Sequence, residues 1–305
     1  MNIVVKILLL LSVAGLGACN MTDIFEGEDN SASAYATKVF EYTPAPGQFI
    51  NNRISSGFSG LETTAESACE YAGKRLAKRQ FVSLGGFGGY IVVGFDHKVI
   101  NSGGGYDIAI AGNPFEGSSE PGIVWVMQDT NGNGVPDDMW YELVGSEQTS
   151  NGTLHNYSVT YYKPSGAKQP VRWTDSLGES GEIVHLAAHP HDSYYPAWIS
   201  AESYTLSGTR LAPQTHFNGT IWIQEGFAWG YVDNENTTDL WRGTGQTAGL
   251  EFNRFRLSDA VSATGEPVNL PYINFVKVQT ALNSQSGGLG ENSTEVFAVC
   301  DILYL

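Results

Sequence analysis

A chain of 305 residues with 32 acidic and 16 basic side chains carries a formal charge of −16, which repels nucleic acid and anionic membrane surfaces. The composition suits a soluble, cation-binding surface protein instead. With 36 glycines, binding residues are expected on loops more than on strands.

Met1 to Ala18 holds one lysine, Lys6, then the apolar run Ile7 to Val13 and the small residues Leu16-Gly17-Ala18 ahead of Cys19. The run is too short to cross a bilayer, and the order of its parts predicts a lipoprotein signal peptide over residues 1–18. Leu-Gly-Ala-Cys resembles the bacterial lipobox, so Cys19 is the expected acylated first residue of the mature chain. Removing the peptide takes away one base and no acid, moving the formal charge from −16 to −17. Asp23, Glu26, Glu28 and Asp29 resemble the acidic tag that sends Bacteroidetes lipoproteins to the outer face of the outer membrane. Residues 19–46 are acidic and weakly periodic, as expected of a tether from lipid to domain.

Residues 47–305 fit one domain. One helix is predicted near its start. Thr63 or Thr64 can cap it, Ala65, Ala68, Cys69, Ala72 and Leu76 form a stripe at helical spacing, and Lys74, Arg75, Lys78 and Arg79 complement the dipole at its end. The runs at 90–95, 106–110, 123–126, 157–162, 220–223, 273–278 and 294–303 are β-branched and aromatic, between Gly, Asn, Asp and Pro clusters. The expected class is mainly β: a jelly-roll-like β-sandwich with one N-terminal helix and long loops.

Between the strand-like segments Gly122 to Met127 and Met139 to Val144 lies Asp129-Thr-Asn131-Gly-Asn133-Gly134-Val135-Pro-Asp137-Asp138. Oxygen side chains at alternate positions, with Gly134 for the sharp bend, are what Ca²⁺ requires. The expected ligands are the Asp129, Asn131 and Asn133 side chains, the Val135 carbonyl and the Asp137 carboxylate. Position twelve is Trp140 where an EF-hand needs a glutamate, so the loop belongs with the Asp-x-Asx-x-Asx-Gly-x-x-Asp type. The plain alternative is a solvated Asn/Gly turn.

The segment from His185 to Trp198 holds half the histidines. His189, His191 and Asp192 form an alternating pair with a carboxylate that can ligate a transition metal, but no further ligand stands nearby in sequence, and no His-Glu-x-x-His or paired Cys-x-x-Cys exists. Two other readings remain open: a recognition loop that stacks Tyr194, Tyr195 and Trp198 on a ligand, or the same rings buried as packing. Phe227 to Asn236, with Trp229 and Asp233, can line the same surface or hold a further cation. Asn253, Asp259 and Asp301 are acceptors whose convergence is open. Cys69 and Cys300 can be a disulfide or two free thiols. No Gly-x-Ser-x-Gly elbow precedes a helix, and carboxylates are too numerous to single out a glycosidase pair, so no enzymatic activity is expected.

Several stretches carry a family resemblance: Gly94-Phe-Asp96-His97, Gly112-Asn113-Pro-Phe115-Glu116, Ser119-Glu120-Pro-Gly-Ile-Val-Trp-Val126, Trp140-Tyr-Glu142-Leu-Val-Gly145, Trp229-Gly-Tyr-Val-Asp233-Asn, and Gly290-Glu-Asn-Ser-Thr-Glu295-Val. Together they resemble the Bacteroidetes outer-membrane "cell surface protein" lipoproteins, in particular the BtuH-like vitamin B12-binding group, over most of residues 80–305. The resemblance implies a surface-displayed β-sandwich that binds a cobamide as accessory to a TonB-dependent outer-membrane transporter. The competing expectation is calcium-dependent glycan binding. For either ligand the expected contacts are His189, His191, Asp192, Tyr194, Tyr195, Trp198 and Trp229, because aromatic faces can cover a corrin or sugar ring while acceptors bind its polar arms.

Overall fold

A computed structural model describes residues 32–305; the expected signal peptide, Cys19 and the first part of the tether lie outside the described residues. The chain is mainly β, with one α-helix and several antiparallel sheets stacked in the manner of a sandwich. The largest sheet has six strands in the order Lys38–Thr43, Tyr90–Ile100, Tyr272–Thr280, Gly122–Met127, Trp140–Leu143, Ala260–Val261. Its centre shows why the sequence folds this way. Val276 stands between Val93 and Val126, and Val278 between Ile91 and Val124, so alternate apolar residues of three strands share one face.

That face packs on a four-stranded sheet, Leu240–Arg242, Glu251–Phe255, Ile108–Gly112, Ala298–Asp301, which contributes Ile108, Ile110, Phe255 and Val299 to the same core. The helix, Ala65–Leu76, closes one end with Ala68 and Ala72. Thr64 is its cap: the side chain accepts from the Ser67 N–H, and the Ser67 hydroxyl oxygen accepts in return from the Thr64 N–H. Such a cap contributes about 1 kcal/mol, and its local nature is why the helix start is readable from sequence. A second four-stranded sheet, Ser203–Arg210, Leu154–Tyr162, Val171–Asp175, Ser180–Ile183, has its own core of Val159, Tyr161, Val171, Ile183 and Leu206.

One sequence expectation changes here, and one open alternative is resolved. The tether was expected to reach residue 46, yet Lys38–Thr43 is an edge strand paired with Tyr90–Ile100, and Tyr42 is buried in the main core. Burying that ring stabilises the strand by about 2 kcal/mol, which a weakly periodic composition does not reveal. The two cysteines are free thiols, Cys69 half-buried on the helix and Cys300 buried in Ala298–Asp301.

Candidate functional site

The loop after Gly122–Met127 gathers four of its expected ligands into one network. Asp129 accepts from the Gly132, Asn133 and Gly134 N–H groups at 2.7, 3.2 and 2.9 Å, which curls the chain around its carboxylate. Gly132 and Gly134 take φ values of 73° and 69°, the left-handed conformation that this curl needs and that glycine adopts without strain. The Asn131 and Asn133 amides each donate to Asp137, at 3.1 and 3.0 Å. Asp138 closes the loop mouth by accepting from the Thr130 N–H and hydroxyl, which holds its carboxyl below the usual range. The Val135 carbonyl accepts from the Asp137 N–H at 2.9 Å. At its start the loop is fastened to the main sheet, the Asp129 N–H donating to Asn274 Oδ1 at 3.0 Å.

The donor set therefore fits a hard cation: two carboxylates, two amides able to turn their oxygens inward, and a carbonyl with a spare lone pair. Turning the amides inward gives up their bonds to Asp137 and the bonds their oxygens accept from the Asn133 and Val135 N–H groups.

The His185–Trp198 segment is divided by burial. Tyr194 and Tyr195 belong to the core of the second four-stranded sheet. The Tyr194 ring lies between His185 and His191, at 4.7 and 4.9 Å between centroids, and its hydroxyl donates to the His189 carbonyl. The Tyr195 hydroxyl donates to the Ala201 carbonyl. Trp198 is half-buried, tilted against Tyr42 at 5.5 Å. These three rings, expected as ligand contacts, are packing residues instead. Trp229 is half-buried in a separate hollow with Tyr106, Asp239 and Arg254. No described cavity joins it to His189.

His189 and His191, both half-buried, and the exposed Asp192 line an open groove of about 820 Å³. Its opposite wall is Asn51 to Ser55 with Phe58, and Ile54 is 96% exposed on the rim. Asn51 fixes the two walls together. Held at a φ of 61°, it donates to the Ser193 and Tyr195 carbonyls at 2.9 and 2.7 Å and accepts from the Ala197 N–H at 3.0 Å. His191 Nε2 is fixed by the Ile50 carbonyl at 2.8 Å. Burial pulls the pKa of His189 down, and burial also lowers His191, so both imidazoles are neutral at physiological pH. Sequence reading missed Asn51, whose only local signal is that Asn tolerates the left-handed conformation.

The remaining candidates do not converge. Asn253 donates to the Asn234 carbonyl and Asp239; Asp259 faces Arg256; Asp301 lies against His97. Three acids from distant segments, Glu120, Asp233 and Glu295, do come together, although sequence reading had not grouped them. No protein-family model matches the chain, and no curated protein matches it.

Proposed function

We propose that the protein is a lipid-anchored surface lipoprotein that binds a cobamide without chemical turnover, as accessory to an outer-membrane transporter. The observation that carries this reading is the groove itself. At about 820 Å³ and open to solvent, it lies within the range of small-molecule sites, has room for one face of a larger ligand, and offers a neutral imidazole, His189, beside an exposed apolar rim at Ile54. A neutral imidazole is a good ligand for the cobalt at the centre of a corrin, and the rim can cover the corrin flank. Asp192, exposed on the groove wall, can accept from the amide arms. The family resemblance supports the same ligand class. Calcium at Asp129, Asn131, Asn133, Val135 and Asp137 has a supporting role in this reading: it braces the turn next to Asn274 and takes no part in ligand contact.

Titration of the purified domain with cyanocobalamin and aquocobalamin tests the proposal. Binding at micromolar ligand is expected, with a shift in the aquocobalamin spectrum that His189→Ala abolishes. Absence of both heat and absorbance change would remove the cobamide.

A second reading, glycan binding, is favoured by one observation: a concavity of about 600 Å³ lined by Tyr162, Arg172, Trp173, Ser180 and Glu182 on the second four-stranded sheet. An aromatic and charged sheet surface of this kind suits a sugar face. A glycan array separates the two, since sugar binding lost in Tyr162→Ala and kept in His189→Ala assigns the ligand to that surface.

A further inference from the structure

Glu120, Asp233 and Glu295 come from the segment before Gly122–Met127, from the 227–236 loop and from the short strand Glu295–Val296. One carboxylate oxygen of each lies within 4.8 Å of the others. Asp233 and Glu295 are 2% and 3% exposed, and Glu120 is half-buried. Among the described residues, no Lys, Arg or His makes an ion pair with any of the three. Three like charges this close in a poorly polarisable interior repel by several kcal/mol, so a proton or a cation has to offset them.

Glu120 and Glu295 face each other within hydrogen-bonding reach, a contact that a shared proton or a cation can hold together, and the donors around the cluster are mainly backbone N–H groups. Both Asp233 oxygens accept backbone N–H groups, Oδ1 from Asn113 at 2.8 Å and Oδ2 from Glu295 at 2.9 Å. Glu120 Oε1 accepts from the Ser293 N–H at 2.9 Å, and Glu295 Oε1 from the Ser293 hydroxyl at 3.1 Å. Donors aimed at carboxylates select the ionised form and fix its direction. Room is left for Asp233 by Gly112, where a Cβ would stand 2.7 Å from Asp233 Oδ1.

A second, independent observation lies beside the cluster. Glu291 and Glu120 line one small cavity of about 30 Å³, with Trp222 and Asn292 among its other walls. Glu291 is 2% exposed; its Oε1 accepts from the Gln48 N–H at 2.7 Å, while its Oε2 is buried without any partner. A carboxylate oxygen left unpaired in the interior is costly, and the negative charge of Glu120 beside it adds to that cost.

We propose that Glu120, Asp233 and Glu295 form a second, buried calcium site, whose positive charge also offsets the unpaired Glu291 carboxylate beside Glu120. An all-oxygen set selects a hard cation, and separations up to 4.8 Å are compatible with Ca–O distances of about 2.3–2.6 Å. Burial pushes Glu120 up to about 7 and Glu291 up to about 8, and holds Asp233 and Glu295 well above the carboxylate range in the absence of the ion. The ion is structural: it joins the 227–236 loop to the strand pair Glu295–Val296 and Val82–Ser83.

The test has to separate this site from the 129–138 loop, so it uses Asp137→Ala protein, in which the loop has lost a ligand. Elemental analysis after gel filtration into metal-free buffer should find about one calcium per chain; finding none overturns the proposal. Adding Glu295→Gln should remove that calcium and lower the melting temperature in calcium buffer. Retained calcium, or a higher melting temperature from the relieved repulsion, overturns it equally. If the double variant does not fold, terbium bound to Asp137→Ala protein decides. Emission sensitised through Trp222, with a lifetime indicating fewer than about three bound waters, supports a buried site, and a mostly aqueous shell rules it out.

Discussion

Asp301 Oδ2 lies 2.9 Å from His97 Nε2, so a carboxylate of the strand Ala298–Asp301 in one sheet holds an imidazole of the strand Tyr90–Ile100 in the other. Asp96 takes the other ring nitrogen at 2.7 Å. Burial alone would lower the His97 pKa, but the hydrogen bonds to Asp96 and Asp301 outweigh it and raise the value above the usual histidine range. A raised histidine pKa means that the folded state binds the proton more tightly than the unfolded state. The stability it contributes is fully present below about pH 6.5 and is lost as pH rises through the folded value. Asp301→Asn should cost about 1–2 kcal/mol at pH 6 and much less at pH 9, read from urea midpoints. Equal losses at both pH values would show that the imidazole is not charged.

The Asn51 bridge makes a prediction for the groove. Asn51→Ala loses three hydrogen bonds and places a Cβ residue without a compensating side chain at a φ of 61°, so it should cost about 3 kcal/mol. Asn51→Gly keeps the backbone unstrained and loses only the bonds, so it should cost roughly 1 kcal/mol less. Both should weaken ligand binding in calorimetry more than they change its heat-capacity signature. Equal stability of the two variants would mean that Asn51 carries no strain.

For the 129–138 loop, Asp129 and Asp137 separate structure from ion. Asp129 accepts three backbone N–H groups, so Asp129→Ala should lower the melting temperature with or without calcium. Asp137 accepts only the two amides that calcium would displace, so Asp137→Ala should remove the loop's own share of the calcium-dependent stability and little else. At a hundredfold excess over the dissociation constant that part is about 2.7 kcal/mol. The comparison is made by calorimetry in calcium and in chelator. A parent protein whose melting curve is the same in both buffers contradicts the loop site.

What the sequence makes legible follows the range of the interactions. The Thr64 cap and the runs around Ile91, Val124 and Val276 announce themselves because their causes lie within a few residues. The curl of the 129–138 turn around Asp129 was readable for the same reason, although the clasp of Asp138 on Thr130 was not. Tyr194 and Tyr195 carry the same composition signal whether they face a ligand or a core, and only the sheet built from residues 154–210 decides it. Glu120, Asp233 and Glu295 are joined by the fold alone, since more than half of the described chain separates the first from the last.

Lys277 offers a pH dependence of opposite sign to that of His97. Its side chain is half-buried, with the ammonium 4.4 Å from the Tyr90 ring centroid and 5.9 Å from that of Trp125, and desolvation brings its pKa down to about 8 despite the attraction of Glu41. The unfolded chain keeps its proton up to about pH 10.4, so stability should rise as pH increases from about 8 to 10.4, where only the folded state has released it. The cation–π contacts recover about 1 kcal/mol of the desolvation cost, which leaves a net penalty at pH 7. Lys277→Met fills nearly the same volume without the charge and should therefore stabilise the protein by about 1–2 kcal/mol at pH 7, and by nothing near pH 10. Paired with Asp301→Asn, it makes the two slopes separable: one variant flattens the falling limb of the stability profile and the other the rising limb. A Lys277→Met protein less stable than the parent at pH 7 would mean that the ring contacts outweigh burial.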